Sequence, residues 1–393
     1  MSRNGEQLLN GHTGRMLGLL SIGLAFVRLG RRLLPPLLPT VVADLSITSF
    51  QAGLVLSIAA GGFALLQFPS GRLSDRLTRK TAILASLSIL VVGSVILSGA
   101  TTFIILLAGA AVVGMGEGLY GAADRGLLSD LFVEKRGAAF GIHTTFSDLG
   151  GILAAGLAAG ALAFGVWQVA FLPTVAGLVV VATLLHRWGV EPVVIEPVSL
   201  HTRETVGRLF GQRRIQWLLL AYSLFAVTAQ GFVGFLPALL QAEHGFSPGF
   251  ASAAFAGMFA TGIVARPVAG RLSDRRNRLA VAGTGLVLGA LGVATLATAG
   301  SSIVAIAGVI VFAMGQKAFP APVQAYLMDT FPEGGMAGDL GAVRTIYVGA
   351  GSLGPVYVGY VAGRLSYTTA FAGFVIMLLG AGFITLGIAR DGP

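Results

Sequence analysis

Arg28, Arg31 and Arg32 stand inside a stretch that is otherwise almost wholly apolar. A spacing of i, i+3 and i+4 puts three side chains on one face of a helix. An arginine at the centre of a membrane-spanning helix costs about 2.5–3.5 kcal/mol, so such residues are functional candidates by default. On a lipid face the three together would cost roughly 8–10 kcal/mol on that scale. The expectation is that they face a watery cavity; snorkelling outward, or pairing with acids for packing alone, is the other reading. Glu117, Asp148 and Lys317 are further ionisable residues in apolar runs, and Gln230 is a polar one. A carboxyl in a low-dielectric site can trade a proton near neutral pH. Glu117 and Asp148 are therefore the expected proton carriers, with Arg28 as counter-charge; a static Arg28–Asp148 pair is the alternative. Arg28, Arg31, Arg32 and Lys317 make the expected cavity net basic, which suits an anionic solute. His143 and Arg344 lie just inside their apolar runs and read as residues at the membrane edge.

The elements that must position these residues are helices. The chain has 393 residues, 55% hydrophobic and only 11% charged, against about 25% charged in a soluble domain. Mean hydropathy is +0.83. A spanning helix needs about 20 mostly apolar residues. Such runs occur at roughly 15–42, 49–70, 80–99, 102–124, 138–163 and 167–186, and again at 214–240, 249–268, 279–299, 301–324, 339–363 and 367–389. The expected architecture is an all-α membrane protein of about twelve transmembrane helices in two six-helix bundles. Residues 1–186 form the first half, 187–213 a linker and 214–393 the second half. Pro39 and Pro237 are expected to close the first helix of each half.

There is no cysteine, which removes disulfides and thiolate metal sites, and the five histidines are scattered. No metal site and no cofactor is expected. The net charge of +9 does not imply nucleic acid, because the basic residues gather in a few short loops, as membrane orientation requires. That bias places both termini and the linker in the cytoplasm of a cell-membrane protein. The N-terminus has no signal-peptide pattern.

The two halves repeat. Gly71-Arg-Leu-Ser-Asp-Arg76 recurs as Gly270-Arg-Leu-Ser-Asp-Arg275, Met115-Gly116-Glu117 matches Met314-Gly315-Gln316, and Trp167-Gln-Val-Ala-Phe171 matches Tyr367-Thr-Thr-Ala-Phe371. The offset stays between 198 and 200. It aligns Arg28, Arg31 and Arg32 with Ala226, Ala229 and Gln230, deep inside the seventh apolar run. Repeated halves are what alternating-access transporters use.

With these motifs the chain resembles the major facilitator superfamily over nearly its whole length. That family carries G-x-L-[AS]-D-R-x-G-R-K between its second and third helices; here residues 71–80 read G-R-L-S-D-R-L-T-R-K, with Thr78 in the second Gly slot and Asn277 in its counterpart. Arg136-Gly137 leading to Gly141, and Gly354-Pro355, resemble further family motifs. Two positions depart: Ala110 stands where the fourth-helix motif has Arg, and Ala154-Ala155 stands where the fifth-helix antiporter motif has G-P. The resemblance implies a cavity lined by the first, fourth and tenth helices. It also implies a cytoplasmic gate at the loop, with Asp75 locking the inner ends of the halves and Arg76, Arg79 and Arg125 beside Asp124 as its partners. Gly71, Gly270, Asp274 and Arg275 complete that gate; for the basic residues, plain obedience to membrane sidedness remains open.

The expected function is secondary active transport by alternating access, coupled to protons and moving a small organic anion, by a monomer. Proton-antiport efflux of drugs or metabolites is the alternative, and a non-transporting membrane sensor is a remoter one. An enzyme is not expected: there is no H-E-x-x-H, no G-x-S-x-G and no phosphate-binding G-x-x-x-x-G-K-[ST].

Overall fold

The computed structural model describes residues 7–76, 78–189, 212–331 and 336–390. All regular structure among them is helical. The first six apolar runs become α1 (Gly11–Arg32), α2 (Leu34–Asp44), α3 (Ser49–Arg76), α4 (Arg79–Ser98), α5 (Phe103–Leu131), α6 (Arg136–Ala163) and α7 (Leu172–Trp188), the last preceded by a 3-10 turn at Trp167–Phe171. The second six become α8 (Arg213–Ala242), α9 (Pro248–Arg275), α10 (Arg278–Ala297), α11 (Ser302–Ala318), α12 (Pro320–Thr330), α13 (Met336–Gly351), α14 (Leu353–Arg364) and α15 (Tyr367–Arg390). Ten stretches are long and apolar enough to cross a membrane, with α11 and α12 together making one of them. The other two expected spans are helix pairs, α1 with α2 and α13 with α14. The first breaks at Leu33, just ahead of Pro35 and Pro36, as proline's missing N–H favours.

Pro39 and Pro237 do not close helices. Each lies inside one, α2 and α8, five residues before its end. A spanning helix tolerates proline where neighbouring groups satisfy the freed carbonyl.

The repeat is written into the helix ends. Thr48, Thr78 and Thr102 accept hydrogen bonds from the amides of Gln51, Thr81 and Ile105. Ser247, Asn277 and Ser301 do the same for Phe250, Ala280 and Val304. Each pair is 199 residues apart. The Thr78 and Asn277 side chains thus fill the family's glycine slot as N-caps, satisfying an amide that the helix itself leaves bare.

Close helix packing repeats too. A Cβ on Gly93 would meet Val113 N at 2.8 Å, and one on Gly292 would overlap Phe312 N; Gly116 and Gly315 face Leu90 N and Gly289 N in the same way. Small residues of this kind let membrane helices approach closely.

The chain divides into two compact units: Met1–Leu37 with Gly61–Leu200, and Leu38–Ala60 with His201–Pro393. In the second, a Cβ on Gly53 would lie 2.6 Å from Pro355 O, and the Val356 amide donates to Ser57 Oγ at 3.0 Å. The segment 38–60 is therefore backbone-close to α14. The 190–211 part of the expected linker lies outside the described residues.

Candidate functional site

In the first unit α1, α5 and α6 come together. Gly150 of α6 has no room for a side chain: a Cβ there would lie 2.6 Å from Ala25 O and 3.0 Å from Arg28 Cβ. On α5, Gly118 would meet Phe63 O at 2.6 Å. These two contacts draw α6 onto α1 and α5 onto α3, and the arginine face of α1 is enclosed.

The enclosed face is an ion cluster. Arg28 Nη1 donates to Glu117 Oε1, and Arg31 Nε donates to Glu117 Oε2 at 2.6 Å. Arg31 Nη2 also reaches Oε1 at 3.3 Å. Glu117 is 1% exposed and each arginine side chain 18%. Arg32 turns instead to α6, where its Nη1 donates to the carbonyl of Ser147. Asp148, 1% exposed, is the next residue and acts electrostatically on Arg32. Phe63 lies under the two guanidiniums, 5.7 Å from Arg28 and 5.3 Å from Arg31, a cation–π arrangement. The structure thus brings together five of the residues singled out in the sequence. It pairs Arg28 with Glu117 rather than with Asp148. Both Glu117 oxygens accept guanidinium hydrogen bonds, which favours the ionised carboxylate.

Three cations face two carboxylates here. With both acids ionised, one positive charge is left over. A solute carboxylate or sulfonate is the natural complement, because guanidinium forks bind planar and tetrahedral oxyanions through paired hydrogen bonds.

His143, read from the sequence as a residue at the membrane edge, is enclosed by protein. It is 1% exposed, and its Nε2 lies 2.9 Å from Oδ2 of Asp124, itself 1% exposed. Its Nδ1 is 3.5 Å from Ser21 Oγ. Asp124, expected beside the loop acid Asp75, is committed to this histidine. Neither partnership has a local signal, because Ser21, Asp124 and His143 sit on different helices.

In the second unit Lys317 is 9% exposed, with Nζ 5.4 Å from the centre of the Phe259 ring. Gln230 is half-buried on α8. Tyr222 and Tyr347 stack at 3.8 Å, with Phe319 edge-on to Tyr222 at 5.0 Å. Among the described residues no cluster of His, Asp or Glu could hold a metal.

The sequence model of the Major Facilitator Superfamily matches residues 20–355. The chain belongs to this superfamily. The facilitator is 27% identical over 256 residues to a probable sulfoacetate transporter of Cupriavidus necator, covering 60% of this chain and 59% of that one. It is 33% identical over 152 residues to the bacillibactin exporter of Bacillus subtilis, covering 36% and 37%. An uncharacterised MFS-type transporter of Mycobacterium tuberculosis is 30% identical over 138 residues, 33% of this chain and 20% of that one. The matches thus span from a fifth to under two thirds of these relatives. The fold matches a bacterial homologue of the human lysosomal transporter Spinster in an inward-facing form, with TM-score 0.82 at 16% identity over 97% of this chain and 98% of that one. It also matches a peptide transporter, POT, in complex with sulfate, with TM-score 0.79 at 15% identity over 95% and 94%. The facilitator is therefore a multi-pass membrane protein of a transporter superfamily.

The facilitator's loop residues are placed as follows. Gly71, Asp75 and Arg76 are in the last turns of α3, and their side chains lie outside the described residues. Arg79 Nε is 3.4 Å from Asp130 Oδ2. Arg125 Nε donates to the carbonyl of Gly121 at 2.6 Å. Gly270, Asp274 and Arg275 close α9, with the two charged residues exposed. One pairing was unforeseen: Arg278 bridges Asp329, the counterpart of Arg79–Asp130 at the repeat offset, with partners 51 residues apart in each case.

Proposed function

We propose that this facilitator is a proton-coupled secondary transporter that carries a small organic anion across the plasma membrane by alternating access. The observation that carries this reading is the enclosed cluster of Arg28, Arg31 and Arg32 on Glu117 and Asp148, with one excess positive charge. Lys317 and Gln230 supply a cation and an amide on the other repeat. Similarity to a probable sulfoacetate transporter supports the anion, since sulfoacetate carries a sulfonate and a carboxylate. The halves 1–186 and 214–393, joined by 187–213, are the units that exchange access. Both termini lie in the cytoplasm, and the functional unit is a monomer. Gly71, Asp75, Arg76, Arg79, Arg125, Gly270, Asp274 and Arg275 form the cytoplasmic gate, for which the paired bridges of Arg79 and Arg278 are support.

The test is uptake of labelled sulfoacetate into proteoliposomes under an imposed proton gradient. Arg28→Ala is expected to weaken apparent affinity at least about tenfold, the loss of one good charge contact at about 1.4 kcal/mol. Unchanged affinity and flux in Arg28→Ala would sink the anion reading. Similarity to the bacillibactin exporter favours a second reading, export by proton antiport. The direction of solute flow under an inward proton gradient decides between them.

A further inference from the structure

Ser21, Asp124 and His143 form a buried polar chain that the arginine cluster does not use. All three are within 1% of full burial. They come from α1, α5 and α6, the same three helices that carry the cluster. Ser21 is seven residues from Arg28, Asp124 seven from Glu117, and His143 four from Ser147. Seven residues are two helical turns, about 10 Å, so each residue lies along its helix on the face of its counterpart in the cluster. Tyr120 sits between, its hydroxyl donating to the carbonyl of Leu20 at 3.2 Å.

The chain's chemistry fits a proton that comes and goes. When His143 is neutral, Nε2–H donates to Asp124 Oδ2 and Nδ1 accepts from the Ser21 hydroxyl. When a proton is added at Nδ1, that nitrogen donates and the Ser21 oxygen accepts. A hydroxyl rotates to serve either role, so neither state strands a ring nitrogen in the apolar interior. Asp124 Oδ1 is buried without a hydrogen-bond partner, so the pair holds an anion incompletely neutralised while His143 is neutral. A proton on His143 completes it.

We propose that the Ser21–His143–Asp124 chain is a proton-binding site of this facilitator, seated two turns from the arginine cluster on the same three helices. The charged and titratable groups around it are these. On α1 they are exposed His12 and Arg15 at one end and Arg28, Arg31 and Arg32 at the other. On α5 they are Glu117, Tyr120, Arg125 and Asp130, on α6 Arg136 and Asp148, and the helices packed on α5 and α1 add Arg79 and Lys80 of α4 and His186 and Arg187 of α7. Apart from Tyr120, the nearest of them in sequence is Arg125, whose Nε is taken by the Gly121 carbonyl. Protonation changes the net charge of the pair from negative to neutral. Shared helices pass that change to the cluster, which makes this the seat of the coupling proton. Only that last link rests on the transport reading above.

The test needs no solute. The protein, carrying five histidines, is labelled with isotopic histidine, reconstituted in nanodiscs and titrated by NMR. One imidazole signal is expected to switch between its neutral and protonated forms over the pH range the protein withstands, and to be missing in His143→Gln. Asp124→Asn should shift the pH at which it switches. Ser21→Ala, the mildest change, should also move it, which keeps the test decisive if the other variants do not fold. A His143 signal that keeps one protonation state across this range, or a midpoint indifferent to both Asp124→Asn and Ser21→Ala, overturns the proposal. Because no solute takes part, the proton site and the anion reading stand or fall separately.

Discussion

Glu117 holds two guanidiniums at once, so its removal leaves Arg28 and Arg31 enclosed without their counter-charge. Breaking a buried ion pair from one side typically costs 3–5 kcal/mol. The arginines here keep 18% exposure, so Glu117→Ala is expected to cost nearer to about 3 kcal/mol. A thermal melt in detergent reads this as a lowered Tm. Millimolar sulfoacetate should restore more of that loss in Glu117→Ala than it adds to the wild type, because the solute would replace the missing carboxylate. Equal stabilisation of both proteins would separate the solute from this cluster. The arginines were legible in the sequence because charge in an apolar run is conspicuous and the helical period gathers it on one face. Their partners were not. Arg32 shares that face, yet it finds the Ser147 carbonyl on α6, and His143 drew notice only as a residue near the start of its helix. Partner choice between helices depends on tertiary approach, here fixed by Gly150, and no local pattern encodes it.

The helices themselves are specified redundantly by their caps and by where glycine removes bulk. Gly292 and Gly257 test this directly. A Cβ on Gly292 would overlap the Phe312 backbone, whereas Gly257 has open space around it. Gly292→Ala is expected to destabilise by about 1–3 kcal/mol, the usual cost of overpacking. Gly257→Ala should be neutral or stabilising by up to about 1 kcal/mol, since alanine loses less freedom on ordering. Differential melting of the two variants checks both. The duplicated loop told the sequence reader where helices end. It did not reveal that Thr78 and Asn277 are caps, because a side chain standing in a glycine slot looks like a defect until the following amide is seen to need it. The Arg79–Asp130 and Arg278–Asp329 bridges were equally hidden, 51 residues apart on separate helices. Their acids are exposed, so each bridge contributes about 0–1 kcal/mol to stability. A transport defect in Asp130→Asn would therefore report on the cycle and not on folding.

For the molecule as a whole, the sequence announced the bilayer plainly. Leu65, Ile104, Ile376 and Phe383 are each at least 70% exposed, which only a lipid surround makes comfortable. Twelve apolar runs matched twelve helical stretches among the described residues, three of them broken where proline or a short bend interrupts the hydrogen-bond ladder. The leftover positive charge of the arginine cluster has a consequence at this scale. A charge that crosses the membrane field does electrical work of about 2.3 kcal/mol per 100 mV. An empty cluster would carry one such charge as the carrier turns over. Occupied by a monoanion it would carry none, and by a dianion one of opposite sign. Clamping the potential of proteoliposomes with valinomycin and potassium should therefore leave the loaded step indifferent to voltage for a monocarboxylate. An inside-negative clamp should slow the entry of sulfoacetate, and the return of the empty carrier should be slowed in the same sense, because a negative charge moving in and a positive charge moving out do the same electrical work. The bare count of three arginines against two acids would then set which leg of the cycle the cell's own voltage drives.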